Sequence, residues 1–509
     1  MKTTIKRILS CVIVMAMLIT VLSGATEIAE RKASDFKYAP FFEHAKDIDV
    51  LFLGSSHMLN AVYPMDLWNR YGITSYNFGG HSCQLAGSYW TLMNALDYSS
   101  PKAVVVDCMF LASQGKAADN FSYQHLSFDA FPLSITKIRT VLDLVNDKTG
   151  DQTTEESAEE SANSGYEKRT AIGLLWNYSV YHTRWTELSE EDFVGESTHE
   201  YGAEARVRIV EPVSIIDNDG KKFREDTMGM KYLRKIIEEC QKRNIDVVLT
   251  YLPYPITNML NWREVNTLND IAEEYGVDYV NFHEEDVVDF NVDCYDANSH
   301  INVSGALKIT DYFGDFLADK YDLPDHREDP EYAYWDEDFV VYKQDKDSRL
   351  GTVKDLNTFL MLLSDRDYGF VLDIEDPRIF EDETTLDLLR NMGINVDEID
   401  DETKYIIAYG NDTRVLNAEA AESVNLGDII PSAQHGEDGI IINPDEGEPA
   451  PEDDTLYRDG KIIANVYNSD GTGLVNVSAF AIPVTSTGLD RTPQNGGQIV
   501  LVSRAERVN

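Results

Sequence analysis

The sequence predicts an α/β protein built around a parallel sheet, followed by a smaller α+β module. Strand-like and helix-like segments alternate between residues 47 and 110, and the alternation resumes after residue 224. Two strand-like segments, 48–53 and 103–106, are almost continuously apolar, which is typical of strands covered on both faces. Strands that alternate with helices form parallel sheets, because each helical crossover returns the chain to the same edge.

The other elements of this first domain are predicted from periodicity and turn residues. Further strands are expected at 72–78, 247–251 and 277–282. Helices are expected at 64–71, 85–96, 264–275 and 305–319, and around the apolar stripe formed by Leu233, Ile236, Ile237 and Cys240.

A chain of 509 residues is too long for one ordinary core, so we expect several domains. Changes in composition divide the chain into a signal or anchor at 1–25, an α/β domain at 40–322 with an insertion at about 112–224, a linker at 323–330, an α/β accessory module at 331–430, an acidic flexible linker at 431–456 and a β-rich segment at 457–509. Within the insertion, the polar acidic stretch 151–165 is expected to be disordered. The C-terminal region is interpreted as a binding or spacer module.

Charge and composition exclude several classes of protein. Hydrophobic residues make up 43% of the chain, which is enough for large cores and excludes global disorder. The net charge of −45 argues against nucleic acid as a partner, because phosphate groups repel such a surface.

The N-terminus resembles a secretory signal, with a basic start, an apolar stretch at 8–22 and the small residues Ser23, Gly24 and Ala25. Cleavage after Ala25 is expected; an uncleaved anchor is the alternative, since 8–25 carries no charge. Either way, the rest of the chain is expected outside the cytoplasm, secreted or held on the membrane. The four cysteines beyond residue 25 are too few for a disulfide framework, and none has the spacing of a zinc site.

Small polar residues follow the first predicted strand and indicate a site for acyl transfer. Gly54, Ser55 and Ser56 come directly after that strand, at the edge where open α/β sheets bind ligands. A serine nucleophile needs a base, and the base needs a carboxylate to orient it. Much later in the chain, Asp296 and His300 precede the last predicted helix. We therefore predict Ser56 as nucleophile, His300 as base and Asp296 as its orienting group.

An oxyanion needs hydrogen-bond donors. The backbone N–H groups of Ser56 and of the turn that contains Gly80 and Ser82 are candidates. His57, His81, His182 and Arg184 are further candidates for binding the substrate, although such residues are more often structural.

Three segments resemble the conserved blocks of the SGNH (GDSL-like) hydrolase superfamily. They are 51–57 (LFLGSSH), 76–82 (YNFGGHS) and 295–306 (YDANSHINVSGA). The resemblance covers about 45–322 and places Ser56 in the nucleophile position. It implies a flavodoxin-like three-layer α/β/α sandwich. The chain is most similar in style to the extracytoplasmic branch of alginate O-acetyltransferase-like and D-alanyl-lipoteichoic acid transfer proteins, which modify cell-envelope polymers and often work with a membrane-bound O-acyltransferase.

The chain departs from the superfamily pattern at three places. The third block normally supplies an oxyanion asparagine, but here the third strand continues into Asp107 without one, so Asn77 or Gln84 is needed as a substitute donor. Ser82 stands where a glycine is usual. Asp296 and His300 are four residues apart rather than three, which leaves Asp293 as an alternative partner for His300.

The first hypothesis is therefore an esterase or O-acyltransferase that acts on acyl groups, by family analogy acetyl groups, of a cell-envelope polysaccharide, without a cofactor or metal. An inactive glycan-binding protein on the same fold is the alternative. A metal-assisted hydrolase using Asp107, Asp293, Asp296 and His300 is a third hypothesis.

Overall fold

The protein is described from a computed structural model. The structure describes the chain apart from residues 1, 31–35, 117–121, 146–170, 176–180, 182–183, 195–198, 425–427, 431–434, 437–438, 441–454, 458–461, 472, 486–498 and 505–509. The chain forms two compact units. The first comprises Met1–Glu204, Ser214–Val287 and Ile309–Phe339, and the second comprises Ala205–Val213, Val288–Lys308 and Val340–Asn509.

The first unit contains a parallel sheet of five strands, which confirms the α/β prediction. The strands are β1 (Val50–Gly54), β2 (Ser75–Gly79), β3 (Ala103–Asp107), β4 (Asp246–Tyr251) and β5 (Asp278–Asn281), in the spatial order β2-β1-β3-β4-β5. All four pairs are parallel. The chain reverses its direction of winding between β1 and β3, and this switch point is where doubly wound sheets bind ligands.

Helices connect and cover these strands. They are α1 (Lys2–Glu30), α2 (Phe36–His44), α3 (Ser56–Ala61), α4 (Pro64–Tyr71), α5 (Leu85–Ala95), α6 (Ser122–Phe128), α7 (Ile135–Val145), α8 (Ala171–Leu175), α9 (Glu191–Val194), α10 (Met228–Lys242), α11 (Met259–Tyr275) and α12 (Val303–Lys320), the last of which begins in the second unit. Local signals set several ends: α4 begins at a proline and ends at Gly72 in the left-handed region, and the side chains of Thr227 and Asn258 cap α10 and α11.

The described part of the region 112–224 contains α6 to α9, and its residues 203–223 have no regular secondary structure. Its acidic stretch, 151–165, lies outside the described residues. α7, which belongs to this region, packs against α5, and α5 contacts β1 of the sheet.

The second unit contains a six-stranded antiparallel sheet assembled from two distant parts of the sequence. β6 (Tyr368–Ile374), β7 (Thr403–Tyr409) and β8 (Asp412–Asn417) belong to the first part, and β12 (Ile462–Asn468), β13 (Leu474–Ala481) and β15 (Val500–Arg504) belong to the second. Their order is β15-β13-β12-β6-β7-β8, with β6 paired to both β7 and β12. The segments that composition separates into an accessory module and a β-rich tail therefore share one sheet.

Helices and short strands complete this unit. The helices are α13 (Ala333–Leu350), which begins in the first unit, α14 (Leu356–Leu363), α15 (Glu383–Asn391) and α16 (Ala418–Ser423), and the short strands are β9 (His435–Gly436), β10 (Gly439–Ile440), β11 (Thr455–Tyr457) and β14 (Pro483–Thr485). Most of the predicted flexible linker, 431–456, lies outside the described residues.

α1 is the one helix of the described residues that is long and apolar enough to cross a membrane. The candidate span is Ile5–Thr26, 22 residues with a mean hydropathy of 2.5. A secretory signal has the same properties, so these features are compatible with both a signal peptide and an anchor.

Candidate functional site

A tight turn from strand to helix places the serine pair at the switch point. β1 ends at Gly54, Ser55 caps α3 by accepting a hydrogen bond from the N–H of His57 at 3.2 Å, and Ser56 is the first helical residue. A Cβ on Gly54 would lie only 2.7 Å from Cβ of Asp107 and 2.8 Å from Cβ of Met58, so glycine allows this close approach. Ser55 is buried and Ser56 is partly exposed, which leaves Ser56 the more accessible hydroxyl.

Asp107 joins the carboxyl ends of neighbouring strands. Its carboxylate accepts hydrogen bonds from the Ser55 hydroxyl at 3.2 Å and from the Met109 N–H at 3.3 Å, and the N–H groups of Ser55 and Leu252 also donate to it. Burial raises the pKa of Asp107 to about 6, and these four hydrogen bonds limit the rise. Asp107 therefore holds the turn before Ser56 in place and is occupied as an acceptor.

The turn after β2 is shaped by close backbone approaches. A Cβ on Gly79 would overlap the backbone of Leu59 in α3. The N–H of Gly80 donates to the carbonyl of Gly54 at 3.1 Å, and the N–H of Cys83 closes a turn to Gly80 at 3.1 Å. Within that turn Ser82 has φ +48°, the left-handed region where glycine is usual. The conformation thus matches a glycine position although the residue is serine.

Two of the five predicted oxyanion donors, Asn77 and Gly80, are engaged elsewhere, so their assignment to the oxyanion is wrong. Asn77 is completely buried, and its amide donates to the carbonyls of Met58 and Val62, both at 2.8 Å, while its oxygen accepts from Gly79. The N–H of Gly80 is already bonded to Gly54, as described above. Neither group has a hydrogen left for an oxyanion.

The N–H of Ser56 stays a prediction, and Ser82 and Gln84 also remain as candidates for this role. No hydrogen bond from the N–H of Ser82 is found among the described residues. Gln84 precedes α5, and its side-chain oxygen is buried without a partner in the described part of the chain. Both residues line a small cavity that also includes His81 and Gln124. An oxyanion would need the NH₂ group of Gln84 and not the oxygen that lacks a partner, so Gln84 is a candidate only through its amide nitrogen.

The second unit brings Asp296 and His300 together. The Asp296 carboxylate lies 2.6 Å from Nδ1 of His300, and its other oxygen accepts the N–H groups of Ser299 at 2.7 Å and His300 at 3.0 Å. Burial alone would raise the pKa of Asp296, but hydrogen bonds from the side chain and backbone of His300 and from Ser299 outweigh it, and the pKa is lowered. An ionised Asp296 is thus positioned to hold the proton of His300 on Nδ1, which leaves Nε2 as the basic nitrogen.

The four-residue spacing between Asp296 and His300 is accommodated by the loop itself. The N–H of Tyr295 donates to the carbonyl of His300 at 2.9 Å, so the loop closes on itself between these residues. Asn302 follows, and its side chain accepts from the N–H of Gly305 at 3.3 Å in the first turn of α12.

Asp293, the alternative partner for His300, is used differently. It is completely buried, and Nζ of Lys308 lies 2.6 Å from its carboxylate, while the N–H of Asp289 donates to the same oxygen at 2.8 Å. Asp293 therefore carries its own counterion, and a second cation beside it would meet the charge of Lys308. Asp296, rather than Asp293, is the carboxylate in contact with His300, and this arrangement disfavours metal binding by Asp293, Asp296 and His300.

The remaining predicted binding residues differ in their exposure and in their partners. Arg184 donates to the carbonyl of Ala29 and to Asp192, so its side chain is held by internal partners, and its role in substrate binding stays a prediction. His57 is 8% exposed and packs its ring 4.7 Å from the ring of Tyr254. His81 is partly exposed, with Nε2 3.6 Å from a carboxylate oxygen of Glu204. His182 lies outside the described residues.

A buried acid beside the switch point was not identified from the sequence. Glu264, on α11, accepts hydrogen bonds from the N–H of Ala112 at 2.7 Å, the hydroxyl of Tyr251 at 2.7 Å and the amide of Asn261 at 3.1 Å. Burial raises its pKa to about 7, against the lowering effect of those three bonds. The signal was present in the sequence, because Glu264 lies on the same helix stripe as Leu268 and Ile271.

The predicted catalytic residues are divided between the two units. Ser56 belongs to the first unit, where it follows the switch-point strand, and Asp296 and His300 belong to the second. Each part has the local arrangement that acyl transfer requires: an accessible hydroxyl on a tight turn, and an imidazole oriented by a carboxylate. No protein-family model matches the sequence, and no curated protein matches it either.

Proposed function

We propose that the protein is an extracytoplasmic SGNH-type esterase or O-acyltransferase that works through an acyl-serine intermediate. Ser56 is the nucleophile, His300 the general base and Asp296 the group that orients His300. The observation that carries the proposal is the 2.6 Å contact between Asp296 and Nδ1 of His300, in a loop whose backbone N–H groups hold the same carboxylate. A histidine held in this way has one defined basic nitrogen, which is the requirement for a general base.

The chemical steps follow from these assignments. The Ser56 hydroxyl attacks the acyl carbonyl while Nε2 of His300 takes its proton, and the tetrahedral intermediate collapses as His300 returns that proton to the departing alcohol. Water or a second hydroxyl then attacks the acyl-Ser56, with His300 again acting as base. The choice between hydrolysis and transfer depends on which acceptor reaches the acyl-serine.

The arrangement of the first unit supports an SGNH fold. Its strand order, 2-1-3-4-5, is that of flavodoxin-like sheets, and Ser56 follows the strand at the switch point. The left-handed conformation at Ser82 supports the same assignment, since a glycine is usual at that place in the second block.

The substrate is proposed to be an acylated cell-envelope polysaccharide, with acetyl as the acyl group. This assignment depends on the resemblance to the extracytoplasmic branch and on the apolar N-terminal helix. A membrane-bound O-acyltransferase is proposed as the partner that supplies or accepts the acyl group.

The test measures ester turnover and active-site labelling in the full-length protein. Wild-type protein is expected to hydrolyse p-nitrophenyl acetate and to react with a fluorophosphonate. Ser56→Ala is expected to abolish labelling and to lower kcat/KM by about 10³-fold or more, since removing the nucleophile removes the covalent route. His300→Gln is expected to reduce both signals strongly while leaving the fold intact.

Ser348→Ala, which changes an exposed serine bonded to Asp345, is the matched control and is expected to behave as wild type. Equal labelling of Ser56→Ala and wild type would remove Ser56 from the nucleophile role. Loss of turnover in Ser348→Ala as well would show that the loss in Ser56→Ala is not specific to the nucleophile.

A glycan-binding protein without catalysis is the second candidate. The specific observation in its favour is that Asn77 and Gly80 are occupied, and that Asp107 is an acceptor where the superfamily has an asparagine donor. This candidate predicts retention of the protein on an acetylated polysaccharide matrix, equal for wild type and Ser56→Ala, with no labelling of either.

A further inference from the structure

The C-terminal end of α1 is built into the first unit rather than extended away from it. Thr26 and Ala29 are 7% and 6% exposed, whereas the apolar residues before them are largely exposed. The guanidinium of Arg184 donates to the carbonyl of Ala29, and α1 packs against α9. The small residues Ser23, Gly24 and Ala25 lie inside the helix, and the Thr26 hydroxyl bonds back to Leu22 at 2.8 Å. The apolar span therefore ends against the folded domain.

Exposed aromatic side chains lie beside this end of α1. Trp185 is 72% exposed and lines a cavity together with Ala25, Ile28 and Tyr181, and Phe193 on α9 lines the same cavity. Tryptophan is enriched at the boundary between the hydrocarbon layer and water, where its apolar ring and polar N–H are both accommodated.

An apolar stripe on α7 faces outward in the same region. The α7 stripe consists of Leu133, just before the helix, and Ile135, Ile138 and Leu142, which follow helical spacing. Leu133 and Ile135 are 70% and 71% exposed, whereas the opposite face of α7 is buried. Arg139, also exposed, lies at the edge of this stripe, four residues after Ile135 and three before Leu142.

A chain of contacts connects the α7 stripe to the end of α1. Nζ of Lys137, on the buried face of α7, donates to the carbonyls of Asp129 at 3.1 Å and Phe131 at 2.6 Å. The side chain of Tyr181 donates to Asp129, and Tyr181 lines the cavity beside α1. All these residues belong to the first unit.

We propose that α1 is retained as a membrane anchor, and that the α7 stripe and Trp185 rest in the interfacial layer of the bilayer it spans, so that the partner of this surface is the lipid. Outward-facing apolar side chains on a helix, flanked by a cation, are the features of helices that lie in a membrane interface. Because the chain carries a net charge of −45, anionic headgroups repel most of its surface, and a face with exposed apolar groups and Arg139 is the one suited to approach them. The proposal is independent of the acyl-transfer chemistry.

The test places tryptophan at chosen positions of the full-length protein and measures quenching by lipids brominated in their acyl chains. Ile138→Trp reports on the α7 stripe, Val14→Trp on the middle of α1, and Leu260→Trp, an exposed apolar position on α11, is the matched control. Each variant is reconstituted in plain and in brominated vesicles of phosphatidylcholine and phosphatidylglycerol. The fluorescence added by the new tryptophan is obtained by subtracting the wild-type signal.

The added fluorescence of Ile138→Trp and Val14→Trp is expected to fall by at least about twofold in brominated vesicles, because bromine quenches only at short range and both side chains would lie close to the acyl layer. The added fluorescence of Leu260→Trp is expected to be unchanged. Quenching of Val14→Trp without quenching of Ile138→Trp would show that another occupant covers the stripe or that the domain stands away from the bilayer, and would overturn the proposal. Equal quenching of Ile138→Trp and Leu260→Trp, or none at Val14→Trp, would overturn it as well.

Discussion

At the scale of single residues, the candidate site depends on where side chains are absent. Gly54 lets Asp107 and Met58 approach the end of β1, and Gly79 lets α3 pack directly on β2. These two contacts fix the path of the chain immediately before and beside Ser56. A methyl group at either position would displace the turn that presents the hydroxyl.

Gly79→Ala is expected to destabilise the protein by about 1–3 kcal/mol, because the new Cβ meets the backbone of Leu59 and a backbone atom cannot rotate away. The measurement is the free energy of unfolding in urea, together with fluorophosphonate labelling as a report on the turn.

Ser82→Gly is the paired variant in the neighbouring turn. With φ +48° at this residue, glycine relieves the cost of a left-handed conformation, and we expect a change of less than about 1 kcal/mol in the free energy of unfolding, in the stabilising direction.

A stable Gly79→Ala protein with normal labelling would contradict the role given to the contact between α3 and β2.

At the scale of secondary-structure elements, buried polar groups connect the strand ends to the helices behind them. Glu264 joins α11 to β4 through Tyr251 and to the chain after β3 through Ala112. Tyr251 also contacts Tyr254 at 3.1 Å, and the ring of Tyr254 packs on His57, the residue after Ser56. The protonation state of Glu264 is therefore linked to elements that surround the switch point.

This network gives a pH dependence whose sign can be worked out. Glutamate titrates at 4.5 in the reference state, and burial raises the pKa of Glu264 to about 7 in the folded protein. Between these values the folded state holds more protons than the unfolded state, so stability falls as the pH rises through this window. Glu264→Gln is expected to remove up to about 3 kcal/mol of this fall, judged from unfolding free energies at about pH 4.5 and 7.5.

Glu273→Gln changes an exposed acid on the same helix and serves as the control for Glu264→Gln. Its stability is expected to follow the wild-type pH dependence. Parallel pH curves for wild type and Glu264→Gln would show that Glu264 is already ionised in the folded state across the window.

The elements that could be predicted from sequence are those whose burial is visible in a short window. β1 is apolar throughout, and β3 is apolar up to its last residue, Asp107, because both of their faces are covered, and α4 is bounded by a proline and by Gly72. α3 was not predicted, since its capping residue Ser55 and its first residue Ser56 are also ordinary turn residues. Contacts such as Ser55 with Asp107, or Gly80 with Gly54, depend on strand pairing over a long separation, and local patterns do not contain that information.

At the scale of the whole molecule, the composition of the C-terminal region does not indicate which of its strands pair. The acidic stretch before β11 suggests a boundary between two modules, yet β12 pairs with β6 across all seven residues of each strand. Strand pairing is determined by complementary faces and not by proximity in sequence. β6 is buried along its whole length, which requires neighbours on both sides and cover on both faces.

Truncation after Asp454 is therefore expected to unfold the six-stranded sheet instead of removing a separate tail. It deletes β12, β13 and β15 and leaves β6, with the buried side chains Phe370 and Leu372, as an unpaired edge. We expect amide hydrogen exchange in β6 and β7 to lose its protection and the truncated chain to aggregate. Truncation after Arg504, which keeps all six strands, is the control and is expected to retain wild-type protection. Normal protection of β6 in the shorter chain would show that β6, β7 and β8 form a stable sheet by themselves.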